Sequence, residues 1–276
     1  MSTRLPVVFF GHGSPMIALE TNDTTKTWRS MADEIEARHG KPKAILCVSA
    51  HWITKGVGVT AMSQPRTIHD FGASFPRALF EVQYPAPGSP ELAARVRDLL
   101  APEIPVVLDE RQWGLDHGTW SVLCKAWPEA DVPVIQLSMD GTKSPEWHYE
   151  MGQRLASLRD EGVLIVGTGN IVHNLPAMDW GDRHCAPYDW SQRFNEAIKT
   201  AIADDQPLAA VEFEKLGEDA RRAVPTPDHY WPLLYVLGAR LPGDVARFSP
   251  DHIEHGSLSM TSVTLKPAYQ QASASK

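Results

Sequence analysis

Short unbroken runs of aliphatic and β-branched residues alternate along this chain with stretches of helical apolar spacing. Residues 6–10, 43–49, 132–138 and 163–168 are almost wholly apolar, the pattern of strands covered on both faces of a sheet. Residues 57–62 and 104–108 predict shorter strands, and alternation across 258–265 predicts a closing one. Between them the spacing predicts helices over 24–39, 145–159, 188–203 and 207–216. Ser89 and Pro90 mark the start of another, to about Leu100, and Asp228 is placed to cap a last one through Leu237. Residues 114–120 read as a turn that opens a helix through Trp127. The aromatic and proline-rich stretch 68–87 reads as a loop long enough to suggest function. Strands separated by helices predict a single α/β domain over residues 1–268, its central sheet mostly parallel or mixed and flanked by helices. Residues 269–276 read as a flexible tail.

Composition narrows the classes of function. At 276 residues and 43% hydrophobic, the chain can bury a large core. Its 26 Lys+Arg and 34 Asp+Glu are spread along the sequence for a net charge of −8, with no basic stripe for nucleic acid. No apolar stretch reaches the roughly 18 residues of a membrane span. Cys47, Cys124 and Cys185 are odd in number and far apart, which fits a reducing cytoplasm better than a disulfide framework. The amino terminus runs straight into a strand without signal-peptide architecture, so a cytoplasmic location is expected. Oligomeric state stays open, a homo-oligomer included.

The candidate chemistry lies in the histidines. His12 follows Val-Val-Phe-Phe-Gly and sits between two glycines, which permit a tight turn and close approach of a ligand. His51 follows Cys-Val-Ser-Ala at the end of a predicted strand, with Trp52 beside it. His173 comes just after Gly169-Asn170. His229 stands at a helix start next to Asp228, which can cap the helix or hold an imidazole. His117, in Leu-Asp-His-Gly-Thr-Trp, is a fifth candidate. Each of them alone also has a plain reading, as a turn or helix-start residue with no role, though the context favours the functional one. Together they would meet at the carboxyl edge of the sheet, where open α/β sheets bind ligands. Without cysteine pairs, that convergence points to a metal kept for chemistry. His39, before Gly40, suits a helix carboxyl end, and His69 lies in the aromatic loop. His148, His184, His252 and His255 read as surface or loop residues. Phe71, Phe75, Phe80, Tyr84, Trp52, Trp120 and Tyr230 are candidates to wall a pocket for a flat ring, with core packing as the competing role.

The words carrying these residues form a longer pattern. They are Gly11-His12-Gly13-Ser14-Pro15-Met16, Ser49-Ala50-His51-Trp52, His69-Asp70-Phe71-Gly72 leading to Phe75-Pro76, and Tyr84-Pro85-Ala86-Pro87-Gly88. Leu115-Asp116-His117-Gly118-Thr119-Trp120, Gly169-Asn170-Ile171-Val172-His173-Asn174-Leu175, Asp228-His229-Tyr230 and Gly256-Ser257-Leu258-Ser259-Met260 follow. In this order, across nearly the whole chain, they resemble the class III extradiol ring-cleaving dioxygenases, in particular their 4,5-DOPA dioxygenase branch. The resemblance implies a mononuclear Fe(II) site that opens a catechol next to its hydroxyls with O₂, Zn(II) occurring in the same pocket in some members. It makes His12 and His51 metal ligands and His229 the third. His173 becomes an acid/base or a fourth ligand, and His117 a contact to substrate or oxygen. Trp52, Phe71, Phe75 and Tyr230 fall to the substrate. One departure stands out: better-known members use two histidines and a glutamate, and no glutamate here stands in a matching motif. Imidazole in place of carboxylate raises the charge of the site by about one unit and suits zinc.

On this reading His173, titrating at about 6.5 like an ordinary imidazole, takes a diol proton and returns it. Two other classes stay open: a zinc hydrolase with an activated water, and a binding protein reusing the scaffold. Gly11-His12-Gly13-Ser14 lacks the lysine and spacing of a phosphate loop, and no nucleophile elbow is present.

Overall fold

The architecture follows from strands that are apolar on both sides. The computed structural model describes residues 4–268, so the tail expected at 269–276 lies outside the described residues. The strands are β1 Val7–Gly11, β2 Ala44–Thr54, β3 Val57–Thr60, β4 Val106–Asp109 and β5 Val134–Asp140. They continue as β6 Val163–Gly169, β7 Asp244–Phe248, β8 Ile253–Glu254, β9 Leu258–Ser259 and β10 Val263–Pro267. The helices are α1 Asp23–His39, α2 Arg77–Phe80, α3 Pro90–Leu100, α4 His117–Ala126 and α5 Pro145–Leu155. After them come α6 Asp189–Ala203, α7 Pro207–Val211, α8 Glu218–Ala223 and α9 Trp231–Gly238.

Eight strands form one mixed sheet in the order β4-β3-β5-β2-β6-β1-β10-β7, and β8 and β9 make a separate small hairpin. The four central strands, β5, β2, β6 and β1, run parallel; β10 pairs antiparallel to β1 and β7 antiparallel to β10. Successive residues serve opposite faces, as the pleat requires. Val7, Phe9, Leu46 and Val48 enter one apolar core, while Val8, Phe10, Ile45 and Cys47 enter the other. This is a single α/β domain with helices on both faces, as expected.

The differences from the sequence reading have local causes. The closing strand expected over 258–265 splits into β9 and β10. The helix expected over 207–216 breaks into α7 and a 3-10 turn at Phe213–Leu216. Four of the strands and α-helices were not predicted, among them the short α2 inside the expected loop and the two-residue β8. α8 is only six residues long, and β7 is an edge strand with exposed Val245 and Arg247, too polar to stand out. The Ser89 cap is present, its Oγ accepting from Leu92 N at 3.1 Å. Asp228 caps nothing, because α9 begins at Trp231. No helix of the described residues is long and apolar enough to cross a membrane.

Candidate metal centre and its cavity

Each functional histidine is delivered by a different segment: two by strands of the central sheet or their ends, His173 by the loop after β6, His229 by the turn before α9 and His117 by the first residue of α4. His12 follows β1 directly, its backbone N–H donating to Gly169 O at 3.0 Å, so the exits of β1 and β6 are tied together. His51 does not follow a strand, as the sequence suggested, but lies inside β2. Pairing to β5 slips between Val48 and Ile53, and an irregularity of this kind re-aims side chains. His229 is brought in by the turn before α9, and its carbonyl accepts from Asn170 N at 2.8 Å. A β-carbon at Gly169 would fall 2.1 Å from that carbonyl oxygen, so the approach requires glycine. His173 is pinned from two sides, by its N–H donating to Ala223 O at 2.9 Å and by a bridge to Leu258 of β9.

The result is a tight cluster. Ligand atoms of His12, His51 and His229 all lie within 4.8 Å of one another, and His12 Nε2 and His51 Nε2 are 3.3 Å apart. His173 stacks on His229 with ring centroids 3.5 Å apart and planes 4° from parallel. The His117 ring lies 3.8 Å from that of His51. Asp70 Oδ1 accepts from His117 N at 2.8 Å and sits 3.0 Å from His117 Nδ1, a charge contact without hydrogen-bond alignment. Asp70 Oδ2 is 3.9 Å from His51 Nδ1. The five imidazoles share a cavity of about 420 Å³, walled by Phe71, Phe75, Met16, Leu175 and Leu258.

Burial sets the protonation. Loss of solvent, then the neighbouring imidazoles, push His12 and His51 well below the usual histidine range. Burial and His229 push His173 down to about 3. The expectation that His173 titrates like a free imidazole is therefore corrected: it is neutral throughout the physiological range, because the pocket solvates imidazolium poorly. Burial would raise the Asp228 carboxyl, but its hydrogen bond with His229 Nδ1, the field of that ring, and bonds from Thr226 and its own backbone together outweigh this and hold it well below the carboxylate range. A carboxylate on Nδ1 fixes that tautomer and leaves Nε2 as a lone-pair donor. Imidazoles converging at this distance, with His12 Nδ1 buried and unpartnered, form a donor set that fits a divalent cation. Among the described residues no carboxylate joins the His12, His51 and His229 group.

Comparison with known proteins agrees with this geometry. Residues 6–265 match the family model described as the catalytic LigB subunit of aromatic ring-opening dioxygenase. The chain belongs to this family. It is 49% identical over 267 residues to a 4,5-DOPA dioxygenase extradiol of Escherichia coli K12, covering 96% of both chains. It is 39% identical to a protein of the same name from Beta vulgaris, over 84% of this chain and 85% of that one. A crystal structure of an uncharacterized protein from Escherichia coli K12 superposes with a TM-score of 0.80 at 43% identity, covering 95% of this chain and all of the other. As a LigB-family member the chain is an extradiol ring-opening dioxygenase, and the family is metal-dependent.

The structure brings His12, His51, His117, His173, His229, Phe71 and Phe75 to one cavity. Two expected substrate contacts are corrected. Trp52 points away, because neighbours on a strand face opposite sides; it stacks on Trp113 at 5.6 Å beside a separate groove. Tyr230 is packed in the core, its Oη donating to Ala210 O at 2.8 Å and its ring 4.5 Å from Phe213. His148 is no surface residue but fully buried, and His255 lines the cavity instead of an outer loop. His69 bonds Val82 O at 3.0 Å. Sequence reasoning missed Asp70, although it stands next to His69 in a word already singled out. It also missed Glu20, Arg183 and Glu254, for which no local signal exists.

Proposed function

We propose that this dioxygenase opens a catechol-type ring next to its diol with O₂, giving a ring-opened semialdehyde, and that its substrate is DOPA or a DOPA-like catechol. The observation that carries this reading is three imidazoles, those of buried His12 and His229 and half-buried His51, converging on one point at the floor of an apolar-walled cavity, with two more imidazoles alongside. His12, His51 and His229 would hold the metal. Fe(II) is the working ion and Zn(II) a competent occupant, since zinc has no accessible redox change. When bound, Fe(II) supplies Lewis acidity toward the diol and electrons toward O₂.

The remaining residues do the binding and proton work. Phe71 and Phe75, edge to face with ring centroids 5.1 Å apart, give the catechol ring an apolar wall and keep water from it. His173, neutral and stacked on His229, accepts a diol proton; the nearby catecholate charge offsets the cost of imidazolium in that pocket. Asp70, 3.0 Å from His117 Nδ1, orients that imidazole, whose other nitrogen can stabilise negative charge on oxygen. Anaerobic loading with Fe(II), then a catechol panel read by oxygen uptake and a yellow chromophore, tests the reading. No oxygen uptake with any catechol would refute it. The three-imidazole donor set also suits a zinc hydrolase, which would instead work with zinc and without O₂.

A further inference from the structure

The cavity has a second end. Beyond the imidazoles its wall carries Glu20, Arg183 and Glu254, and Arg183 is the one Lys or Arg among the described residues lining it. Both oxygens of Glu20 reach Arg183 Nη1, at 2.9 and 2.8 Å. Arg183 Nε lies 2.9 Å from Glu254 Oε2. Rigid pieces join this trio to the floor. Glu20 directly follows the 3-10 helix Pro15–Leu19, which leaves the His12 turn. Five residues rising about 2 Å each put Glu20 roughly 10 Å from that turn. Glu254 lies on β8, whose partner β9 bridges to His173 through Leu258.

Charge decides what this end accepts. The three side chains sum to −1, so a substituent bearing only a carboxylate meets net repulsion. A substituent carrying both an ammonium and a carboxylate finds a partner for each. Glu20 hydrogen-bonds the guanidinium through Nη1 and Glu254 lies in charge contact with Nε, which turns the Nη2 edge toward an incoming carboxylate. We propose that Glu20 and Arg183 are the specificity determinants for the ring's substituent, Arg183 taking its carboxylate and Glu20 its ammonium, while the imidazole end holds the diol. The assignment rests on the ring-opening reading above. Trp180, 71% exposed, and His255 stand at the same end and form the rim over the substituent.

The test is calorimetric binding without O₂ of four catechols to the metal-loaded protein: DOPA, dopamine, 3,4-dihydroxyphenylpropionate and 4-methylcatechol. The intact protein is expected to prefer DOPA over 4-methylcatechol about tenfold and to bind dihydroxyphenylpropionate most weakly. Arg183→Gln should cut the DOPA-to-dopamine affinity ratio about tenfold. Glu20→Gln should cut the dopamine-to-4-methylcatechol ratio by a similar factor. Equal loss for all four ligands in either variant, or no preference for DOPA in the intact protein, overturns the assignment. Oxygen uptake with 4-methylcatechol separates the two ideas. Uptake without substituent preference defeats only the Glu20–Arg183 assignment, whereas no uptake with any catechol defeats the ring-opening reading.

Discussion

Two buried histidine environments in this protein look alike one residue at a time and differ entirely as places. His148, on α5, is buried against α9, its ring 4.3 Å from Trp231 and its Nδ1 3.1 Å from Tyr235 Oη. Burial pushes it down to about 4, against the opposing charge of Asp140. His12 is also buried and His51 and His173 are half-buried, and all three are also depressed. They face a cavity and one another, whereas His148 faces the rings of Trp147, Trp231 and Tyr235. Depressed basicity therefore marks burial, and only convergence on shared space marks a site.

Substitution should separate the two environments sharply. His12→Ala is expected to abolish both metal binding and ring opening, measured by metal analysis and oxygen uptake, since two imidazoles cannot retain the ion against buffer. His173→Ala should keep the metal and lose about 10²–10⁴ in turnover; metal loss in that variant would make His173 a ligand first. Asp228→Asn should weaken metal affinity by about 10–100-fold, read by competition with a chelator, because His229 loses the partner of its Nδ1.

His148 should leave all three readouts alone and speak through stability. The unfolded chain takes up a proton on this side chain below about pH 6.5, and the folded one only near pH 4. Its stabilising share is present at pH 7 and shrinks as pH falls, by about 2 kcal/mol between pH 7 and 5. His148→Gln should remove about that much of the pH slope in urea unfolding of the metal-free protein; an unchanged slope would refute the account. The smallest effect belongs to Tyr230→Phe. It loses the hydrogen bond to Ala210 O, costing about 1 kcal/mol in the same assay, with turnover within about twofold if Tyr230 is only core.

The same contrast explains what could be read in advance. His12 and His173 were legible because strands buried on both faces are continuous apolar runs, and small residues must follow where the chain turns at the sheet edge. His51 was legible as a residue and not as a position, since the slip in β2 pairing depends on β5. Trp52 and Tyr230 were misplaced for one reason: a residue next to a ligand in sequence faces the other side of its strand or turn. α8 and β7 were too short or too polar to signal themselves.

By itself the sequence determined the α/β alternation and which imidazoles end up at the carboxyl edge, because burial of both sheet faces and glycine-dependent turns are local demands on the chain. Only the tertiary structure decided that Glu20, Arg183 and Glu254 share the cavity with them and that His148 does not. Those relations join residues up to 242 positions apart (His12 to Glu254). They are fixed by how the 3-10 helix after His12, the turn before α6 and the β8–β9 hairpin pack together, and no local pattern encodes that.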